Sequence, residues 1–211
     1  MDQVRFWDKV ADKYAIDRIA DPEAYEYTLG RTLSYLKASD HVIEFGAGTA
    51  STALRIAPQV QSYLATDLSA QMVRIGREKL AESPVPGLSI RQGGIEASGS
   101  ETCDALLAFN LFHLCADIPG TLTRLYEMLR EGGLFISKTP CLADHPGWVK
   151  RTALRVAIPL MQMAGKAPRP VTLLRIKELD GMVRNAGFEI IETGNYPASA
   201  PSRYIVARKV S

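Results

Sequence analysis

Val42-Ile43-Glu44-Phe45-Gly46-Ala47-Gly48-Thr49-Ala50 is the stretch on which the fold of this 211-residue chain turns. An apolar, β-branched run stops at two glycines one residue apart, and a helix-like stretch follows. That pattern describes a buried parallel strand turning sharply into a helix whose N-terminus faces a ligand. The glycines let backbone approach that ligand with no Cβ in the way. Glu44 is the unusual member, an acid at the strand end just before the turn.

On both sides of this turn the chain alternates. Upstream, Trp7, Ala11 and Tyr14 fall at helical spacing, and a second helix starts after Asp21-Pro22 and runs toward Leu36. Downstream, a helix from about Ala50 to Ala57 is ended by Pro58, and Ser62 to Thr66 reads as a second strand. Ser69 is placed to cap a helix running to about Glu82, and a third strand covers Leu88 to Arg91. Ala105 to Phe109 is an unbroken apolar run, the mark of a strand buried on both faces. Leu122, Leu125, Tyr126 and Leu129 form a helical stripe that Gly132-Gly133 ends, and Leu134 to Ser137 is a fifth strand. Ile176, Leu179, Val183 and Ala186 make another stripe, and Phe188 to Thr193 and Tyr204 to Arg208 are the last strands. The expected architecture is a single α/β domain over 1–211 with a doubly wound sheet, its ligand at the carboxyl ends of the strands.

Composition narrows the function. Apolar residues are 46% and charged residues 23%, and the formal net charge of +2 gives no electrostatic case for nucleic-acid binding. Cys103, Cys115 and Cys141 lack metal-ligand spacing, so no metal is expected, and their sparse, odd number points to reduced thiols and a cytoplasmic setting. Neither a signal peptide nor a transmembrane run is expected.

Glu44 then selects among nucleotide ligands. A dinucleotide places its pyrophosphate over such a turn, where a carboxylate would repel it. The third glycine of the dinucleotide pattern is missing as well, since Ser51 stands at that place. S-adenosylmethionine, with an ammonium, a sulfonium and no phosphate, suits the acid better.

These residues resemble a family. Glu44-Phe-Gly-Ala-Gly-Thr-Ala50 resembles the first motif of class I S-adenosylmethionine-dependent methyltransferases, and the order of elements agrees over nearly the whole chain. Leu129-Arg130-Glu131-Gly132-Gly133 is similar to the family's turn before the fifth strand, and Asn185-Ala186-Gly187-Phe188 to its turn before the sixth. Residues Trp7 to Tyr14 resemble the N-terminal cap of small-molecule and quinone-type members. The resemblance implies a seven-stranded, mostly parallel sheet whose last strand is antiparallel and inserted between the fifth and sixth. It also implies a helical cap over 1–38. The interruption after the fifth strand, over about 140–170, is longer than an ordinary loop and is read as a helical lid insertion.

It further implies a cofactor site. Gly46, Ala47 and Gly48 would pass under the methionine and ribose, with Glu44 facing the amino-acid tail. Asp67, nineteen residues after Gly48, would accept both ribose hydroxyls. Leu68 and Met72 would lie near the adenine. Where the family commonly has an acid reading the adenine amino group, this chain has Gly94, so the backbone of Gly94 and Ile95 is expected there, with Glu96 a substitute only if the loop is shifted. Asn110 and Leu111 follow the fourth strand, and the Asn110 carbonyl is expected to meet the tail ammonium.

Methyl transfer needs an aligned nucleophile and exclusion of water, and a base only if the acceptor must lose a proton. His113, after the fourth strand and of a type that titrates near neutrality, is the first candidate base; His145 is the second. Both also have ordinary structural readings, and Tyr14 either closes over the cofactor or packs in the core. In the insertion, Val149, Ala153, Val156, Leu160 and Met163 make an apolar stripe beside Lys150, Arg151 and Arg155, and Pro159 is expected to kink or divide the helix. Two readings stay open: a lid over a small hydrophobic or amphipathic, lipid-like acceptor, with peripheral membrane contact through its basic side chains, or a helix packed on the sheet. The competing functions are an NAD(P)-dependent oxidoreductase and a non-catalytic S-adenosylmethionine-binding regulator.

Overall fold

The computed structural model of the chain describes residues 2–99 and 102–210; Met1, Ser100, Glu101 and Ser211 lie outside them. Two helices open the chain, α1 (Gln3–Ile16) and α2 (Pro22–Tyr35). Strands and helices then alternate as β1 (His41–Phe45), α3 (Ser51–Ile56), β2 (Ser62–Asp67), α4 (Ala70–Glu82), β3 (Leu88–Gln92), β4 (Cys103–Phe109), α5 (Ile118–Met128) and β5 (Leu129–Pro140). The chain closes with α6 (Trp148–Met163), α7 (Ile176–Asn185), β6 (Phe188–Asn195) and β7 (Ser202–Lys209).

The seven strands form one sheet in the order β3-β2-β1-β4-β5-β7-β6. Pairing is parallel from β3 through β5, and β7 runs antiparallel to both β5 and β6. The chain winds outward from β1 to β3, then returns to lay β4 on the other flank of β1. That reversal opens a crevice at the carboxyl ends of β1 and β4.

Alternation along the central strands sends side chains to two apolar layers. Leu106 and Ala108 join Phe135, Leu122 and Leu125 on one face, with Leu179 and Val183 of α7. Ala105 and Leu107 join Val42, Tyr63, Ile56 and Val73 on the other. Burial on both sides is why β4 reads as a continuous apolar run. A smaller cluster of Ala11, Met72 and Ile75 fastens α1 to α4. Asp8 reinforces it by accepting from the Ser69 hydroxyl at 2.6 Å and the Gln71 amide at 3.1 Å.

Three expectations need correction. Strand β5 begins at Leu129, not Leu134, because Cys103 pairs with Leu129 and the next pair is Ala105 with Leu134; the residues between bulge out around Gly132 (φ 73°). Of the two outcomes expected at Pro159, division does not occur: α6 continues through it, although the ring removes the amide that would bond Arg155. Both residues are exposed, so water can take up the freed carbonyl. Nor does the apolar stripe of α6 pack on the sheet. Val149, Val156, Leu160 and Met163 are exposed, and Leu154, Ala157 and Ile158 on the opposite side are only partly buried.

Candidate active site

A cleft of about 400 Å³ lies at the reversal point of the sheet. Its floor is the turn after β1. Gly46 adopts φ 68°, a left-handed conformation that favours glycine, and a Cβ there would lie 2.8 Å from Leu111 Cδ1, which would have to move. Gly48 adopts φ 57° and sits under the Tyr14 ring. Its amide donates to Asp67 Oδ2 at 2.8 Å, while the Ser69 amide donates to Asp67 Oδ1 at 2.9 Å. Asp67 is thus locked at the end of β2, and each of its oxygens keeps a further lone pair for a ligand hydroxyl.

The cleft is lined by Gly46, Gly48, Asp67, Leu68, Met72, Gly94, Ile95, Asn110, Leu111 and His113, which come from four separate strand ends. Asn110 (φ 55°) turns the chain out of β4, and its amide donates to the Lys138 carbonyl at 2.7 Å. Glu96 does not stand in for the missing adenine-side acid. Its carboxylate folds back onto the Gly94 amide at 2.7 Å, an interaction that holds it below the usual carboxylate range.

Other expected residues sit elsewhere. The Ala47 amide is used by the Thr66 carbonyl at 2.9 Å, and Ala47 does not line the cleft. Glu44 lies beneath the floor, only 2% exposed, and accepts from the Tyr63 hydroxyl at 2.8 Å. Burial pushes its carboxyl up to about 7 against that hydrogen bond, and the nearby Asp67 charge adds to the rise. Burial likewise raises Asp67. Both acids act on the cleft through space: after burial, Asp67 and Glu44 are what raise the Tyr14 hydroxyl. No cation contributes to either acid's shift among the described residues. Two carboxyls thus lie at or under the cleft floor, an arrangement that suits a cationic nucleoside better than a pyrophosphate.

The histidines divide. His113 lines the cleft, its Nδ1 is buried with no partner among the described residues, and burial pushes its imidazole down to about 4. The expectation of a group titrating near neutrality is corrected: desolvation holds this ring neutral at physiological pH. His145 lies outside the cleft, where its Nδ1 accepts from the Gly147 amide at 3.0 Å and shapes the turn into α6.

Of the near wall, sequence reasoning offered Tyr14 and a helical cap but not the other residues that line it. Gln3, Val4 and Trp7 of α1 line the cleft, as do Cys115 and Thr121. Trp7 meets the Tyr14 ring edge-on at 5.8 Å, so one helix face reaches across the opening. The helical spacing of Trp7 and Tyr14 was the available signal. Helix α6 contributes nothing to the lining; from its segment only Pro140 does.

Comparison with known proteins agrees with this geometry. Residues 43–135, from β1 into β5, match the model of a methyltransferase domain. A demethylmenaquinone methyltransferase of Symbiobacterium thermophilum is 27% identical over 139 residues, 62% of this chain and 55% of that protein. The uncharacterized methyltransferase YcgJ of Bacillus subtilis is 25% identical over 111 residues, 52% of this chain and 42% of that protein. The matched region thus spans about half the length of these curated relatives. The crystal structure of YcgJ superposes with a TM-score of 0.69 at 16% identity, covering 88% of this chain and 99% of that one. A geranyl diphosphate methyltransferase in complex with SAM superposes at 0.71 and 12% identity, covering 90% and 85%. The domain match, the sheet order and the glycine turn agree: residues 43–135 are similar to a methyltransferase domain, and the chain has the fold of the solved methyltransferases it superposes on.

Proposed function

We propose that this chain binds S-adenosylmethionine in the cleft and transfers its methyl group to a small apolar acceptor. The observation that carries the reading is the mixed lining of the cleft. The glycine turn and Asp67 share it with the apolar Val4, Trp7, Leu68, Leu114 and Cys115, and with His113. The cofactor, when bound, supplies a carbon made electrophilic by the adjacent sulfonium. Asp67 holds the ribose hydroxyls. Leu68 and Met72 flank the base, and the backbone of Ile95 meets its edge, the Gly94 amide being held by Glu96. Trp7 and Tyr14 exclude water from above. His113 presents an uncharged nitrogen that accepts a hydrogen bond from an acceptor hydroxyl, orienting its oxygen. A ring held neutral orients well and abstracts protons poorly, so the acceptor is expected to be acidic enough to ionise by itself or to lose its proton after transfer.

The test pairs calorimetry with a transfer assay. S-adenosylhomocysteine is expected to bind and NADH not to bind; the reverse result removes the reading. Labelled S-adenosylmethionine is then offered with demethylmenaquinone, the substrate in the Symbiobacterium relative's name, with a short apolar phenol, and with a water-soluble amine. Transfer to the apolar acceptors supports the proposal. Transfer to the amine alone refutes the acceptor class, and tight binding with no transfer to any acceptor favours a regulatory protein.

A further inference from the structure

The excursion between β5 and α7 is chemically unlike the rest of the chain. Residues 141–175 hold six Lys or Arg and one acid, Asp144. Taking that +5 from the chain's +2 leaves a net −3 for everything else, so the positive charge is concentrated here. At its centre is α6, in which no residue is buried.

The arrangement around α6 is ordered. On a wheel of about 100° per residue, Trp148, Pro159, Thr152, Met163, Val156, Val149, Leu160 and Ala153 fill one sector roughly 140° wide. That sector faces water: Trp148 is 71% exposed, Val149 60%, Leu160 58% and Met163 76%. Leu154, Ala157 and Ile158, only partly exposed, mark the opposite side as the one turned to the body. Lys150 borders the apolar sector on one edge and Arg151 and Arg155 on the other, all three exposed. The base is firm. The Cys141 amide donates to the Pro201 carbonyl at 2.7 Å, Ala143 to Leu174 at 3.1 Å, and Thr172 to the His113 carbonyl at 2.7 Å.

We propose that α6 is an interfacial membrane-docking helix, seated with Trp148, Val149, Val156, Leu160 and Met163 in the acyl boundary of an anionic lipid surface and Lys150, Arg151 and Arg155 among its headgroups. A wide apolar face bordered by cations, with no acid within the helix itself, is the form such helices take. A second copy of the same face would bring two cationic helices together. A nucleic acid would satisfy the charges and leave the apolar sector in water. A lipid surface satisfies both at once. No helix among the described residues is long and apolar enough to cross a membrane, so contact of this kind stays at the surface. Because Thr172 is bonded to His113 and Pro140 lines the cleft, docking by α6 sets the cleft beside the bilayer. The inference rests on α6 alone and holds whatever the acceptor.

The full chain is sedimented with vesicles of phosphatidylcholine alone and of an equal mixture with phosphatidylglycerol. Binding is expected on the mixed vesicles, weakening with salt, with hydrogen exchange slowed over 148–163. The Val156→Asp/Leu160→Asp variant is expected to lose at least tenfold in partition with an unchanged melting temperature, because both side chains face water. Lys150→Gln/Arg151→Gln/Arg155→Gln is expected to lose roughly fivefold per cation. Several results overturn the proposal: no binding to mixed vesicles, equal binding to neutral ones, or binding that survives Val156→Asp/Leu160→Asp. A dimer that this double variant dissociates, or duplex RNA binding that it leaves intact, assigns the face to another partner and overturns it equally.

Discussion

The carboxyl of Glu44 is predicted to make cofactor affinity rise with pH. It lies under the cleft floor, bonded to Tyr63 at 2.8 Å, and burial lifts it to about 7 with no cation to bring it back. An arriving sulfonium and ammonium favour its ionised form, so binding expels a proton wherever the free carboxyl still holds one. If the bound form returned to the ordinary 4.5, affinity would change across the titration by 2.5 logarithmic units, about 3.4 kcal/mol, which sets the ceiling. A drop of one unit on binding still gives about tenfold. The assay is calorimetry with S-adenosylmethionine from pH 5.5 to 8.5, repeated at pH 7 in buffers of different ionisation enthalpy. With full ionisation on binding, about half a proton is released at pH 7. The Glu44→Gln variant subtracts titration of the ligand itself and is expected to flatten the curve. A dissociation constant that follows the same pH curve in wild type and Glu44→Gln would refute the electrostatic reasoning. The same group leaves a mark on stability. Its folded-state value is raised, so the native state holds the extra proton between pH 4.5 and 7, and the ligand-free protein loses stability as pH rises through that window. Glu44→Gln is expected to remove this loss.

Three other outcomes are expected. Asp67→Ala removes the proposed ribose acceptor and the partner of the Gly48 and Ser69 amides; cofactor binding measured by calorimetry should weaken by about 1.5–3 kcal/mol, and a change under twofold would dismiss the ribose assignment. Gly46→Ala forces a Cβ into a left-handed backbone against Leu111, costing about 1–2 kcal/mol in thermal unfolding and pushing Leu111 into the cleft, so both stability and cofactor affinity should fall. His113, pushed down to about 4, should contribute no titration near 6.5 to the turnover profile. It should instead destabilise the fold as pH drops below 6.5, by up to about 3 kcal/mol near pH 4, because the unfolded chain takes up the proton first; the stability of wild type relative to His113→Ala should fall by about that amount between pH 7 and 4.

Much of the site was readable because it is made of chain punctuation. Gly46 and Gly48 end a strand, Asp67 ends the next, and Asn110 follows a third, so strand ends found from apolar runs bring these residues to one edge of the sheet. What local pattern could not show was direction and solvation. Glu44 stands one strand position from the turn, yet its side chain goes under the floor to Tyr63, a partner nineteen residues away on β2. His113 is on the expected side but in a dry place, which changes its chemistry. The stripe on α6 has the periodicity of a packed helix, and periodicity is the same whether the apolar face meets a core or faces outward.

By itself the sequence determined the order of strands and helices, the turn conformation at its glycines, and the placing of acids at strand ends. These depend on short-range sterics and on whether side chains repeat every two residues or every three to four. Tertiary structure alone decided which acids lie beneath the cleft rather than in it, that α1 forms its near wall, and that α6 turns its apolar side outward. Those outcomes depend on desolvation and on contacts between segments far apart in the chain, and the free energy of a charge or an apolar face is set by what surrounds it, which neighbours in sequence do not specify.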